Sequence, residues 1–448
     1  MSVQPVVQYA SRTDVGMRRS ANQDSLVVRL CSDYEEWAHV GHLFVVADGM
    51  GGHSVGDLAS RITVETLPLA FAKSAYENPA DRLAAAIDSA NRAINDKARE
   101  NPEFSDMGTT CSTLSLSATG AWVGHVGDSR VYRVRDGIIE QLTFDHSLQW
   151  EMIRQGRATA DNSEMLHPKN VITRCLGPDT NVEIDVEGPF DVRPGDRFLL
   201  CSDGLTGHVT DPELGAIMAG LPPTEATRFL VDLANCRGGS DNSTVVIAVV
   251  DDYPPIQTPT IESKTVNMSQ TQPMDVPMIS QAAIERRTIV SRMTMSTFGL
   301  LGFGGLVLLF MRQQFIGLGL ICVALFLVTI QLIATTRRKA TIQLEKAPEP
   351  AGRAESALLG VREPAASTPY RRESAELQPG FLDQLAKAQS ELTAAAQDNG
   401  WDLDTEELSR LSDKAAESRA AADGGLPHYA RAMRILMKEF SARLRPRA

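Results

Sequence analysis

The feature that most constrains this chain is a recurring unit of apolar strand and terminal aspartate. Leu43-Phe44-Val45-Val46-Ala47 is a continuous apolar run that reads as a buried strand. It ends in Asp48-Gly49-Met50-Gly51-Gly52. Arg197 to Cys201 is a second such strand, closed by Ser202-Asp203-Gly204. Asp241 lies in Gly238-Gly239-Ser240-Asp241-Asn242, just before the strand Thr244 to Val250. Asp24 precedes the strand Leu26 to Leu30, and Asp128 follows Ala121 to Val126. Each carboxylate can stand free at a strand end. Carboxylates held together repel, and a divalent cation is the usual way to offset that. Glycine beside three of the strand-end carboxylates lets backbone approach an ion closely. Oxygen donors without a Cys or His cluster favour Mg²⁺ or Mn²⁺ over zinc. A lone Asp-Gly between apolar runs is a hairpin turn. The chain holds its own control in Asp136-Gly137, between Val131 to Arg135 and Ile138 to Glu140, which reads as a turn only. The joint pattern carries the metal reading.

Charge supports it. The 448 residues carry a net charge of -12, which argues against a nucleic-acid binder that must neutralise phosphates with basic surface. The acidity is concentrated in residues 1–253, with 21 Lys/Arg against 36 Asp/Glu, whereas the remainder is slightly basic. An acidic front half suits cations. The six Cys include no CxxC pair, so a reducing compartment is expected and a zinc finger is not.

At about 150 residues per domain the length allows roughly three units. Residues 1–253 alternate apolar runs with helical patterns and are read as one domain. Residues 254–292 are rich in Pro, Ser, Thr and Gln and read as a linker. Residues 293–311 and 315–334 are apolar runs of 19 and 20 residues without internal charge. Each matches the roughly 30 Å of bilayer hydrocarbon at a rise of about 1.5 Å per residue. Arg286, Arg287 and Arg292 precede the pair, and Arg337, Arg338 and Lys339 follow it. Basic residues on both outer flanks predict a transmembrane hairpin in the cytoplasmic membrane, with the front domain and the tail in the cytoplasm. The segment Met1 to Ala10 has neither a basic start nor an apolar run, so no secretory signal is expected. Residues 335–370 read as a second linker. Residues 371–448 read as a helical tail of three segments, marked by Leu382, Leu385 and Leu392, by Leu408, Leu411 and Ala415, and by Tyr429, Met433, Leu436, Phe440 and Leu444. A small bundle or partner-docking module is the expectation there.

The joint pattern in residues 1–253 resembles the metal-dependent protein phosphatase family, type 2C (PPM), in its bacterial form. Eight segments stand in the family's order. They begin with Arg19-Ser20-Ala21-Asn22-Gln23-Asp24 and Val45-Val46-Ala47-Asp48-Gly49-Met50-Gly51-Gly52. Gly108-Thr109-Thr110, Gly127-Asp128-Ser129-Arg130 and Leu142-Thr143-Phe144-Asp145-His146-Ser147 follow. Ile172-Thr173-Arg174-Cys175-Leu176-Gly177, Ser202-Asp203-Gly204 and Ser240-Asp241-Asn242 complete the set. The match covers a little over half of the chain. It implies an α+β fold, a four-layer α-β-β-α sandwich of two antiparallel sheets, with the metal site at one end. It also implies hydrolysis of phosphoserine and phosphothreonine in proteins. By resemblance, Asp48 bridges two Mn²⁺ or Mg²⁺ ions, the Gly49 carbonyl binds one, and Asp203 and Asp241 complete the other side. Asp24 acts through metal-bound water, Asp128 helps hold a third, weaker ion, and Arg19 grips the substrate phosphate. The residue types suit that chemistry. Two metals activate water and clamp phosphoryl oxygens, and a guanidinium matches phosphate bidentately.

Two positions depart from many eukaryotic members, which carry Glu where Gln23 stands and His where Met50 stands. Met50 donates no proton, which leaves the general-acid role to a metal-bound water. Both changes are common in bacterial members. The stretch between Asp145 and Gly177 resembles the family's flap; His146 and His167, within it, read as structural. With the hairpin, the resemblance suggests membrane-bound Ser/Thr kinases or receptors as partners and lipid contact through 293–334. Two rivals stand beside this reading. One is a catalytically weak, membrane-tethered phospho-sensor or scaffold. The other is a serine hydrolase using Ser54, because Gly52-His53-Ser54-Val55-Gly56 matches G-x-S-x-G. Against the second, Asp48 to Gly51 separate that motif from the strand it should follow directly.

Overall fold

The computed structural model describes residues 5–51, 55–154, 171–253, 369–421 and 423–445. Two antiparallel sheets form the centre. The first runs β1 (Val6–Asp14), β11 (Ser243–Asp252), β10 (Arg197–Cys201), β7 (Arg130–Arg135), β8 (Ile138–Gln141), β12 (Arg371–Ser374). The second runs β2 (Asp24–Arg29), β3 (His42–Met50), β5 (Cys111–Ser117), β6 (Gly120–Val126), β9 (Asp185–Phe190), with the short β4 (Gly108–Thr109) on β3.

Strand periodicity explains the layering. Along β3, Phe44 and Val46 face the other sheet, while Leu43 and Val45 face helices. Along β11, Val246, Ala248 and Val250 take the inter-sheet core, and Val245, Ile247 and Val249 take the opposite face. Strands covered on both faces must be apolar at every position, which is why these runs were legible. Helices α2 (Val55–Lys73) and α3 (Pro79–Glu100) cover the second sheet. Helices α6 (Asp211–Gly220) and α7 (Pro223–Cys236) cover the first. The expected four-layer sandwich is therefore present. The Asp136-Gly137 control is a turn as read: both residues have positive φ, 50° and 73°, the signature of a type I′ hairpin.

The tail differs from its reading. Its three helices are present, as α8 (Pro379–Asp398), α9 (Thr405–Glu417) and α10 (Leu426–Leu444). It opens, however, with β12, which pairs antiparallel with β8 at the sheet edge. Arg372 faces Glu140 in that register and donates to it through Nε at 2.8 Å. The helices also pack against the front domain. Leu385, Tyr429, Met433 and Leu436 belong to the same buried cluster as Phe229 and Leu230 of α7 and Val245 of β11. The physical reason is that the apolar face of α10 packs on α7 and α8 packs in turn on α10, and β8 would otherwise leave an unpaired edge. Among the described residues no helix is long and apolar enough to cross a membrane. The hairpin at 293–311 and 315–334 and the linker at 254–292 lie outside the described residues, as do residues 335–368 of the second linker and Ser54 and His167.

Candidate active site

Five aspartates from five segments meet at one end of the sandwich. Asp24 opens β2 and lies directly opposite Asp48 in the β2–β3 register. Asp203 follows β10, and Asp241 precedes β11; the pairing of Cys201 with Val245 brings those ends together. Asp128 sits between β6 and β7. Asp128, Asp203 and Asp241 line one cleft, together with Arg130, Asp145 and Trp150.

Neighbouring polar groups fix each carboxylate. Ser202 Oγ donates to Asp24 Oδ2 at 2.8 Å and accepts from the Thr244 amide at 2.9 Å. Among the described residues, Asp24 Oδ1 is buried with no hydrogen-bond partner. The Asp48 amide donates to Thr110 Oγ1 at 2.9 Å, and Thr109 Oγ1 donates to the Asp48 carbonyl at 2.9 Å. Gly49 admits no side chain: a Cβ there would stand 2.0 Å from the Gly56 carbonyl oxygen and 2.7 Å from that of Gln23. Its amide donates to Gln23 O at 3.1 Å, which ties β3 to the segment before β2.

Burial, with neighbouring charge adding to it, raises four of the carboxyls. Burial lifts Asp24 to about 7 against the Thr244 and Ser202 hydroxyls, with Asp203 and Asp241 adding to the rise. Burial first, then the charges of Asp24, Asp203, Asp128 and Asp241, holds Asp48 well above the ordinary carboxylate range. Asp128 is raised by burial and by Asp203 and Asp145, and Asp203 by burial and by Asp241. Among the described residues no group of three or more His, Cys, Asp or Glu side chains is placed so that it could hold a metal ion as it stands. Carboxylates brought together repel, and a divalent cation would offset that repulsion. All-oxygen donors and a buried, unpartnered Asp24 oxygen fit a hard divalent ion such as Mn²⁺ or Mg²⁺.

Arg19 is half-exposed at the mouth and donates to Asp241 Oδ2 at 2.7 Å. Asn242 supports its loop. The Asn242 side chain accepts from the Gln23 amide at 2.8 Å and donates to the carbonyls of Val15 and Ala21, each at 3.0 Å. His146 is fully buried; its Nδ1 accepts from the Gly127 amide at 3.1 Å, and its Nε2 lies 3.1 Å from Asp185 Oδ2. It therefore shapes the turn that carries Asp128. Residues without an assigned role in the sequence reading also stand here. Arg130 grips Asp145 through Nε at 3.0 and 2.9 Å and Nη2 at 2.6 Å. Gln141 and Trp150 complete that wall, Gln141 by donating to Asp145 Oδ1 at 3.0 Å. Arg130 and Asp145 lay within quoted motifs. Trp150 carried no signal beyond its place in the flap.

Comparison with known proteins agrees with this geometry. The family model described as protein phosphatase 2C matches residues 18–236. The chain is 34% identical over 247 residues to a serine/threonine phosphatase of Listeria monocytogenes, covering 54% of this chain and 94% of that protein. It is 32% identical over 291 residues to the serine/threonine protein phosphatase PstP of Mycobacterium tuberculosis, covering 64% of this chain and 54% of that one. The solved structure of the S. agalactiae serine/threonine phosphatase matches with a TM-score of 0.50 at 32% identity, over 55% of this chain and all of the other. The fold and site define a metal-dependent protein phosphatase. The chain belongs to the protein phosphatase 2C family of serine/threonine phosphatases, whose cofactors are Mn²⁺ or Mg²⁺.

Proposed function

We propose that this phosphatase works with two Mn²⁺ or Mg²⁺ ions held by Asp48, the Gly49 carbonyl, Asp203 and Asp241, with Asp24 acting in the shell around them and Asp128 serving a third, weaker ion. The observation that carries this is the convergence of five raised or crowded carboxyls beside an unpartnered Asp24 oxygen. Bound there, divalent ions activate water and withdraw charge from the phosphoryl oxygens. The protein's own groups do the rest. Arg19 pairs with Asp241 at the cleft mouth. Were Asp241 to hold an ion, the Arg19 guanidinium would be free to grip a phosphomonoester bidentately. Thr109, Thr110 and Ser202 hold the donors in place without reorganisation, the condition for electrostatic catalysis.

The reading of localisation rests on the sequence. From the apolar runs 293–311 and 315–334 and their basic flanks we propose that the catalytic domain is tethered to the cytoplasmic membrane, close to phosphorylated receptors or membrane-bound kinases, where tethering raises local concentration. Deleting 293–334 should move the protein from the membrane to the soluble fraction; equal sedimentation of both forms would remove the anchor.

The mechanism is tested by turnover of a phosphothreonine peptide by the full-length chain in Mn²⁺, in chelator, and as Asp48→Asn in Mn²⁺. Turnover is expected only in the first case. Activity that survives chelator and Asp48→Asn sinks the metal assignment. Phosphopeptide binding without turnover in Mn²⁺ supports the phospho-sensor reading instead.

A further inference from the structure

Two segments frame the catalytic cleft, and each is touched by one end of the tail. One is α4 (Leu148–Arg154), whose Trp150 lines the cleft. The Arg371 guanidinium lies over the Trp150 ring, 5.6 Å from its centroid, and Arg130 of the cleft wall lies 5.8 Å from the same centroid. Arg371 Nη1 is also 3.6 Å from Asp211 Oδ2, while Tyr132 Oη donates to Asp211 Oδ1 at 2.9 Å. Tyr370 packs on Phe144, which meets Trp150 edge-on with centroids 5.2 Å apart. Aromatic and cation–π contacts of this kind have preferred geometries, so they orient α4 as well as hold it.

The other segment is the loop of residues 15–19. Arg445, just past α10, donates to Asp14 Oδ1 at 2.5 Å. The same oxygen accepts from the Gly16 amide at 3.0 Å and from Asn235 Nδ2 at 3.1 Å. Ser441 Oγ reaches Met17 Sδ at 3.8 Å, and the Met17 amide donates to Gly239 O at 2.8 Å, two residues before Asp241. Arg19 ends this loop.

We propose that the tail is part of the active site's frame, with Arg371 a positioning residue for α4 and Arg445 a positioning residue for the Arg19 loop. The inference rests on the phosphatase reading for its kinetic arm only. Neither residue touches the carboxylate cluster, so the tail sets substrate grip more than the chemical step. The Arg19 loop serves the phosphate, whereas α4 stands at the rim that a peptide must cross. The two arginines therefore have separable signatures.

The test uses the full-length chain as Arg371→Ala and Arg445→Ala. Arg372→Ala and Arg431→Ala are controls, since those tail residues pair with Glu140 and Glu225 away from the cleft. Steady-state kinetics in Mn²⁺ compare a phosphothreonine peptide with p-nitrophenyl phosphate, and amide exchange is followed at 148–154 and 15–20. Arg371→Ala should raise KM for the peptide about fivefold with kcat nearly unchanged, and leave p-nitrophenyl phosphate alone. Arg445→Ala should raise KM for both substrates by a similar factor of about five. Exchange should quicken at 148–154 in the first variant and at 15–20 in the second. Four variants with equal effects, or Arg371→Ala and Arg445→Ala with wild-type exchange and KM, overturn the proposal. A wild-type chain without turnover sinks the phosphatase reading alone, and the exchange data still decide the tail.

Discussion

At the scale of single residues, function and stability pull apart in the carboxylate cluster. Asp48 has its pKa raised on folding. A group of this kind contributes fully to stability below its unfolded pKa and loses that contribution as pH rises through the folded one. At pH 7 without metal, Asp48 therefore weakens the fold, and Asp48→Asn should melt higher in chelator by a few °C, at about 2–4 °C per kcal/mol. Saturating Mn²⁺ should raise the wild-type melting temperature and leave that of Asp48→Asn nearly unmoved; a variant that melts lower in chelator would contradict the crowding argument. Histidines supply the acid side. Burial pushes His42 down to about 4 and His125 to about 3, the latter also beside His146. Between about pH 6.5 and these values the unfolded chain takes up protons that the folded chain refuses, so stability falls as pH drops through that window. His42→Gln should show a shallower loss of melting temperature from pH 7 to 5 than wild type. The ligand candidates were legible because an aspartate at the end of an apolar strand is a local pattern. Arg130 with Asp145 and Asn242 with its three backbone partners were not, because their roles exist only once distant segments meet.

At the scale of elements, the sequence reads well where burial is two-sided and poorly at edges. The runs beginning at Leu43, Arg197 and Thr244 matched β3, β10 and β11 because inter-sheet and helix-facing positions are both apolar. β12 reads Arg-Arg-Glu-Ser and is exposed throughout. It has no β-branched or aromatic residue and no alternation, so pairing with β8 makes it a strand and propensity does not. The β7–β8 turn is a lever on that pairing, since Gly137 O accepts from the Ala375 amide at 2.8 Å. Gly137→Val meets no steric neighbour but must hold φ near 73°, a left-handed conformation that costs an L-residue about 1–2 kcal/mol. The variant should unfold at lower denaturant, and the Ala375 amide should exchange faster. Unchanged exchange there would mean that β12 is held by its side chains and not by the register of the hairpin.

At the scale of the whole molecule, the question is whether residues 369–445 and 5–253 are one cooperative body. A reading by composition separates them, because a polar linker and two apolar runs stand between them in the chain. The packing joins them. Leu382, Leu385, Tyr429, Met433, Leu436 and Met437 share one buried cluster with Leu214, Phe229 and Leu230. Burying a large apolar side chain contributes about 1.5–3 kcal/mol, so several of them rival the roughly 5–15 kcal/mol that separates a folded domain from its unfolded chain. Salt bridges add direction more than strength: Arg431–Glu225 is largely exposed, whereas Arg445 meets a buried Asp14. A body built this way should unfold in one step. In a denaturant series followed by hydrogen exchange, the amides of α10 and β11 should lose protection at the same midpoint and with the same denaturant dependence. Removing 369–448 should shift the β11 midpoint downward, because Phe229 and Leu230 then face water. An α10 that opens at clearly lower denaturant while β11 stays protected would instead make the tail a docked module with its own equilibrium. Its grip on α4 and the Arg19 loop would then vary with that equilibrium rather than being fixed by the fold.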